Sequence, residues 1–193
     1  MRLSDRDIKK ALISGDILID PCVDIQSIEG VAIDLHLGYE FRLFAGHKTG
    51  SIDLAAPAQQ LQKILEEVMQ PPIKLNDNER IIIHPGELVL AVTHESITIP
   101  NNLVGWLDGR SSLARLGLMV HVTSHRIDPG WAGQIVLECY NSGKLPLALA
   151  PMMKICAINF ESLTSPVERG YVDRIHAKYK HQQGAVASKL NHD

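Results

Sequence analysis

Cysteine is scarce in this sequence, basic charge is not in excess, and no long apolar run occurs. The three cysteines, Cys22, Cys139 and Cys156, are odd in number and far apart, which argues against a disulfide framework and favours a reducing, cytoplasmic setting. The formal net charge of -3 argues against binding nucleic acid through overall charge, although a local basic pocket is compatible with it. No apolar run is long enough to cross a membrane as a helix, and the first residues do not resemble a signal peptide, so no membrane partner is predicted.

Several familiar catalytic motifs are also missing. The sequence contains no Cys-x-x-Cys pair and no His-x-Glu, the motifs of zinc deaminases that act on nucleobases. His94-Glu95 lacks the second histidine of a zinc-protease helix, and no phosphate-binding P-loop is present. Ser111 and Ser112 follow Gly-Arg instead of forming a Gly-x-Ser-x-Gly elbow. A zinc-dependent hydrolase and a serine nucleophile are therefore not predicted.

The sequence has the size and composition of one soluble globular domain, which we expect to span residues 1–193. Of these residues 45% are hydrophobic and 21% are charged. Short apolar or alternating segments recur between turn sequences, which predicts a mainly β fold, a barrel or a jelly roll. The predicted strands are residues 17–19, 31–38, 39–44, 80–83, 87–93, 97–99, 103–107, 118–122, 133–140, 145–149 and 154–160.

Two peripheral helices are predicted beside these strands. Ser4 is typical of a helix N-cap and Gly15 of a helix end, so a short helix is expected between them. Residues 57–70 predict a second helix with one apolar face, ended by two prolines. The residues of that face are Leu61, Ile64, Leu65 and Val68.

The strand predicted over residues 31–38 raises a question about two polar residues. Ile33 and Leu35 point to one face of the strand, whereas Asp34 and His36 point to the other. Asp34 and His36 have two interpretations, a catalytic pair or the polar side of a half-buried strand. The pattern favours the second.

Residues 109–138 contain the densest group of candidate functional side chains. Arg110, Ser111, Ser112 and Arg115 lie between glycines and offer guanidinium groups and hydroxyls to an anion. Downstream, a period of two places Glu138 on the strand face opposite Ile135 and Leu137. Glu138 is either a general base, with Ser111 and Arg115 stabilising charge, or half of a structural ion pair with Arg115.

The C-terminal segment, residues 171–193, has a distinct composition rich in basic residues. It is either a frayed, solvated terminus or a basic flap over an anionic ligand, and composition alone favours the frayed terminus.

Four stretches resemble bacterial dCTP deaminases: GWLDGRSSLARLGLMVH at 105–121, HRIDPGW at 125–131, NSGKLPLA at 141–148 and KYKHQQGAVAS at 178–188. The resemblance covers essentially the whole chain, and Arg-Ser-Ser-Leu is shared with the wider dUTPase-like superfamily. It implies a dUTPase-like β-barrel or jelly roll with a few short helices. It also implies a cytoplasmic homotrimer with active sites between subunits.

The resemblance implies hydrolysis of dCTP to dUTP and ammonia, feeding thymidylate synthesis. In this pattern Glu138 matches the general base that activates water, without zinc. Ser111 and Arg115 match the groups that hold the water and stabilise the tetrahedral intermediate. A bifunctional deaminase and diphosphatase that makes dUMP, or a non-catalytic nucleotide-binding module, are the alternatives.

The resemblance also implies the contacts with the substrate. Asp128 matches a contact to the sugar 3′-hydroxyl, and the tail residues match triphosphate contacts, which reverses the interpretation from composition. Mg²⁺ is expected on the triphosphate, held by phosphate oxygens and water. Ser124 stands where the family often has Ala, so unaltered inhibition by dTTP is not assumed. The expected binding residues are Arg110, Ser111, Ser112, Leu113, Ala114, Arg115, Asp128, Val136, Leu137, Glu138, Tyr171, Lys178 and Gln182.

Overall fold

The chain is built mainly from antiparallel strands, as the computed structural model of residues 1–45 and 50–192 describes. Asp193, the last residue of the predicted tail and domain, and residues 46–49 lie outside the described residues. The strands are β1 Leu18–Asp20, β2 Ala32–His36, β3 Glu40–Phe41, β4 Ile73–Lys74, β5 Ile81–Ile83, β6 Leu88–Thr98, β7 Leu103–Gly109, β8 Leu118–Met119, β9 Arg126–Ile127, β10 Ala132–Asn141, β11 Leu147–Leu149 and β12 Lys154–Ser162. The helices are α1 Asp5–Ser14, α2 Ala58–Val68 and the single turn α3 Ser111–Ala114.

Two four-stranded sheets and two short strand pairs form this β structure. One sheet has the order β1-β6-β10-β8 and the other β2-β12-β7-β9, with β11-β5 and β3-β4 as the pairs. Leu137 of the first sheet and Leu107 and Phe160 of the second belong to one continuous hydrophobic core and are almost fully buried. The prediction of a mainly β fold with few helices is therefore confirmed.

Both predicted peripheral helices are present. Helix α1 ends at Gly15, whose φ of 80° is the left-handed conformation that glycine tolerates. Ser4 precedes the helix as predicted, but its hydroxyl donates to the Asp7 carboxylate at 3.0 Å instead of accepting from a backbone N–H. Helix α2 buries Leu61, Ile64 and Val68, as its apolar face predicts. Among the described residues, no helix is long and apolar enough to cross a membrane.

The strand boundaries differ from the prediction mainly at β6. The two strands predicted over residues 87–93 and 97–99 merge into the continuous strand β6, Leu88–Thr98, because the strand also accommodates the polar residues between them. Glu95 is buried, and its carboxylate accepts from the His36 backbone N–H at 2.9 Å and lies 2.6 Å from His36 Nδ1. Strand β9 was not predicted, since two residues are too short to show a period.

Strand β2 confirms the predicted alternation and separates the two polar residues into different contacts. Ile33 and Leu35 are buried, whereas Asp34 and His36 are only half-buried. Asp34 lies 2.7 Å from Arg110 Nη1 and 3.1 Å from Lys154 Nζ. Although partial burial raises it, the pKa of Asp34 is held below its ordinary value by these two cations. Asp34 and His36 therefore have separate ionic partners and do not form a pair.

Candidate functional site

A pocket of about 840 Å³ lies between strand β10, residues 123–128, helix α2 and the C-terminal segment. The structure brings five of the predicted site residues to its wall, from sequence positions far apart. They are Asp128, Val136, Glu138, Tyr171 and Gln182. Ser124, the departure from the family pattern, also lines this pocket. A pocket of this size is in the range of small-molecule sites in proteins.

Glu138 reaches the pocket because the side chains of β10 alternate between the hydrophobic core and the pocket side of the strand. Ile135 and Leu137 are buried on one face, and Glu138 is half-buried on the other. Partial burial raises the pKa of Glu138, while a backbone hydrogen bond from Val122 acts in the opposite direction. A carboxylate with a raised pKa is a stronger base, which suits the acceptance of a proton from water.

Glu138 has no ion pair with Arg115 within the described part of this chain. The ion pair proposed as a structural alternative is therefore not formed in the single chain. The pocket position of Glu138 and the direction of its pKa agree better with a chemical role.

Two arginines that no sequence motif indicated hold Asp128. Arg126 Nε lies 2.7 Å from one carboxylate oxygen and Arg174 Nη1 lies 2.6 Å from the other. The guanidinium of Arg174 also lies over the ring of Tyr171, at 5.7 Å from its centroid. This arrangement fixes Asp128 at the pocket wall and connects it to the C-terminal segment.

Aromatic side chains form two clusters at the pocket wall and beside it. Trp131 packs against Tyr171 with ring centroids 5.0 Å apart. His125 lies between Trp106 and His121, at 5.3 Å from each ring. Burial lowers the pKa of His121, and the nearby His125 acts in the same direction. The sequence does not indicate this group, because these positions share no local period.

Ser111–Ala114 form the single turn α3, but residues 110–115 do not line the Glu138 pocket of the same chain. The Arg115 backbone N–H donates to the Ser111 carbonyl at 3.1 Å, so the two residues lie one helical turn apart. Six of the expected substrate-binding residues are therefore absent from the wall of this pocket in the single chain. These six are Arg110, Ser111, Ser112, Leu113, Ala114 and Arg115.

Two other expected contacts also lie outside the main pocket. The side chain of Leu137 is fully buried in the core, so only its backbone is available to a ligand. Lys178 lines an adjoining pocket of about 540 Å³ together with Arg169, Arg174 and His176. This second pocket gives the C-terminal segment a cationic surface that can attract an anion.

The C-terminal segment packs against strand β10. Gln182 is buried, its carbonyl accepts from the Gln134 N–H at 2.9 Å, and its amide donates to the Gln134 carbonyl at 3.1 Å. Gly133 leaves room for this contact, because a Cβ there would meet the Gln182 backbone. These contacts do not fit a frayed terminus. Closure of the segment over a triphosphate stays a prediction.

The donor groups of the site can be compared with those that a metal needs. Within residues 1–45 and 50–192, no three His, Cys, Asp or Glu side chains are grouped as a metal site.

Comparisons with known proteins show the family of this chain. A family model described as dCTP deaminase-like matches residues 2–163. The dCTP deaminases of Alteromonas mediterranea and Tolumonas auensis are 59% and 58% identical over the whole of this chain, covering 98% and 100% of those proteins. The crystal structure of 2′-deoxycytidine 5′-triphosphate deaminase from Agrobacterium tumefaciens has a similar fold, with a TM-score of 0.60 and 16% identity over 82% of this chain and 46% of that longer one. The chain thus belongs to the dCTP deaminase-like family.

Proposed function

We propose that this protein is a hydrolase that converts dCTP and water into dUTP and ammonia. The observation that carries the proposal is the half-buried Glu138, whose pKa is raised, in a pocket shared with Asp128 and Gln182. Relatives named dCTP deaminase that are nearly 60% identical along the full chain support the same substrate.

In the proposed reaction Glu138 is the general base and no zinc takes part. Its carboxylate accepts a proton from water as the water oxygen bonds to C4 of the cytosine ring. The tetrahedral intermediate then loses its amino group as the C4–N bond breaks, and Glu138 returns the proton to the departing ammonia. The second water proton moves from the new C4 hydroxyl to N3, so the remaining ring is uracil, with C4=O and N3–H, and the atoms and protons balance.

Ser111 and Arg115 are assigned to the catalytic water and to the charge of the intermediate. Since these residues do not line the Glu138 pocket of their own chain, we assign them to the site of a neighbouring subunit. This requires an oligomer with sites between subunits, which the family resemblance suggests is a homotrimer.

The remaining residues are assigned to binding. Asp128 would accept from the sugar 3′-hydroxyl, and Val136, Leu137 and Glu138 would line the base. Mg²⁺ would accompany the triphosphate, with phosphate oxygens and water as its main ligands. The proposed phosphate contacts are Arg110, Ser111 and Ser112 of the neighbouring subunit and Tyr171, Lys178 and Gln182 of the tail. We place the reaction in the cytoplasm, upstream of thymidylate synthesis.

Product analysis separates this proposal from its alternatives. The wild-type protein is incubated with dCTP and Mg²⁺, and ammonia, nucleotides and pyrophosphate are quantified. The proposal predicts equal amounts of dUTP and ammonia and no pyrophosphate. Formation of dUMP with pyrophosphate would instead indicate the bifunctional enzyme, and binding of dCTP without ammonia would indicate a nucleotide-binding module.

A further inference from the structure

Gln134 is a strand residue whose side chain joins two parts of the fold beside the pocket. It lies on β10, and like Glu138 it is half-buried. Its Nε2 donates to the carbonyls of Thr93 at 2.9 Å and His94 at 3.3 Å. Its Oε1 accepts from the backbone N–H of Gly184 at 2.8 Å. The side chain therefore connects strand β6 with the C-terminal segment.

The backbone around Gln134 holds the same segment. Its N–H donates to the Gln182 carbonyl at 2.9 Å, and its carbonyl accepts from Gln182 Nε2 at 3.1 Å. Gly133 forms a parallel β-bridge with Gln182. Residues 182–184 are thus fixed to β10 by one residue that uses both its backbone groups and the oxygen of its side-chain amide.

A strand irregularity explains why a side chain can make these contacts. The pairing of β10 with β6 shifts register between Gln134 and Val136, so the regular ladder is interrupted there. Thr93 Oγ1 accepts from the Ile135 N–H at 2.9 Å, and the Gln134 amide reaches the carbonyls of the opposite strand. Side chains thus replace ladder hydrogen bonds at the point where the tail docks.

We propose that Gln134 is a positioning residue that seats the C-terminal segment and thereby places Gln182 at the nucleotide pocket. This inference rests on the proposed function and adds a residue that acts through the tail without touching the reacting atoms. Gln182 lines the same pocket as Glu138, so loosening the tail removes a substrate contact but leaves the base in place. Gln134 accordingly governs the binding of dCTP more than the chemical step.

The test uses Gln134→Met, which keeps the side-chain length and removes both ends of the amide. Gln62→Met is the matched control, because Gln62 is exposed on α2 and bonds to Glu66 one turn along the same helix. Steady-state kinetics with dCTP should give a KM raised about tenfold and a kcat within about twofold of wild type for Gln134→Met. The control should leave both constants unchanged.

Amide hydrogen exchange provides a second measurement that needs no turnover. In Gln134→Met the amides of Gly184 and Ala185 should exchange faster, while the core amide of Leu137 keeps its wild-type protection. Unchanged exchange of the Gly184 and Ala185 amides would overturn the proposal, because it would show that the tail keeps its position. Equal acceleration of tail and core amides would also overturn it, because it would indicate a general loss of stability. A wild-type protein that releases no ammonia would refute the proposed function, and the exchange result would still decide the role of Gln134.

Discussion

The proposed chemistry of the site depends on a carboxylate kept in an environment that disfavours its charge. Glu138 shares its pocket with Val136 and Ile135, and burial raises its pKa. A carboxylate with a raised pKa accepts a proton from water more readily than an ordinary one. The same environment that suits a base costs folding free energy when the carboxylate is ionised.

Removing this charge should therefore stabilise the fold in a pH-dependent way. The folded pKa of Glu138 is raised, so its protonated form is favoured in the folded state, and its contribution to stability declines as pH rises through the unfolded and then the folded pKa. Glu138→Gln should raise the melting temperature at pH 8, and the gain should vanish below the unfolded pKa, about 4.3. Thermal unfolding at several pH values measures this. A gain of equal size at pH 4 and pH 8 would contradict the linkage.

Residue patterns gave the orientation of Glu138 but not the partners of Asp128. A period of two along β10 is local and visible in the sequence, so the exposed face of the strand could be predicted. Arg174 contacts Asp128 across a long stretch of chain, at 2.6 Å. Such a long-range ion pair leaves no local spacing, and only the folded chain reveals it.

Among the elements, turn α3 depends on a glycine that anchors it to the loop after β10. Gly117 has a φ of 97°, and a Cβ there would meet the backbone of Gly143 and Ser142. The Gly117 carbonyl also accepts from the Ser142 N–H at 2.8 Å. This close approach fixes the end of the segment that carries Ser111 and Arg115.

Gly117→Ala should lower the free energy of unfolding by at least about 3 kcal/mol, from left-handed strain and backbone overlap together. Gly86→Ala is the matched control, because Gly86 has a φ of 81° and a Cβ added there would meet no atom within 4 Å. The control should cost about 1 kcal/mol, for the left-handed conformation alone. Urea denaturation of both variants gives the comparison. Equal losses of unfolding free energy in the two variants would show that the close contact with Gly143 does not affect stability.

Helices α1 and α2 and strand β10 were predictable because each has a clear period and clear end residues. The continuity of β6 was not, since His94, Glu95 and Ser96 interrupt its apolar pattern. Glu95 is accommodated inside because His36 supplies partners for its carboxylate. Burial of a polar residue depends on a partner distant in sequence, which a local pattern does not contain.

At the scale of the whole molecule, one chain does not assemble the full set of expected site residues. Glu138 and Asp128 line one pocket, whereas residues 110–115 do not. Arg110 is instead paired with Asp34 at 2.7 Å. The sequence indicated that both Glu138 and residues 110–115 are functional. It contains no pattern that predicts whether one chain brings them together. A second copy is the proposed source of the missing half.

Subunit mixing tests this arrangement. Glu138→Gln and Arg115→Ala should each be inactive alone. If each site takes Glu138 from one chain and Arg115 from another, random mixing should restore about one quarter of wild-type activity. The two variants are unfolded together, refolded at equal concentration and assayed for ammonia, with each variant refolded alone as the control. No recovery in a correctly assembled mixture would show that both residues act from the same chain.

The central claim is that the Glu138 carboxylate activates the water that deaminates dCTP. Ammonia release by Glu138→Gln, measured with dCTP in excess and beside equilibrium binding of dCTP, tests it most directly. The account predicts binding within about tenfold of wild type and ammonia release lowered by about a thousandfold, in the range expected for a lost general base. Ammonia release at the wild-type rate would contradict the account.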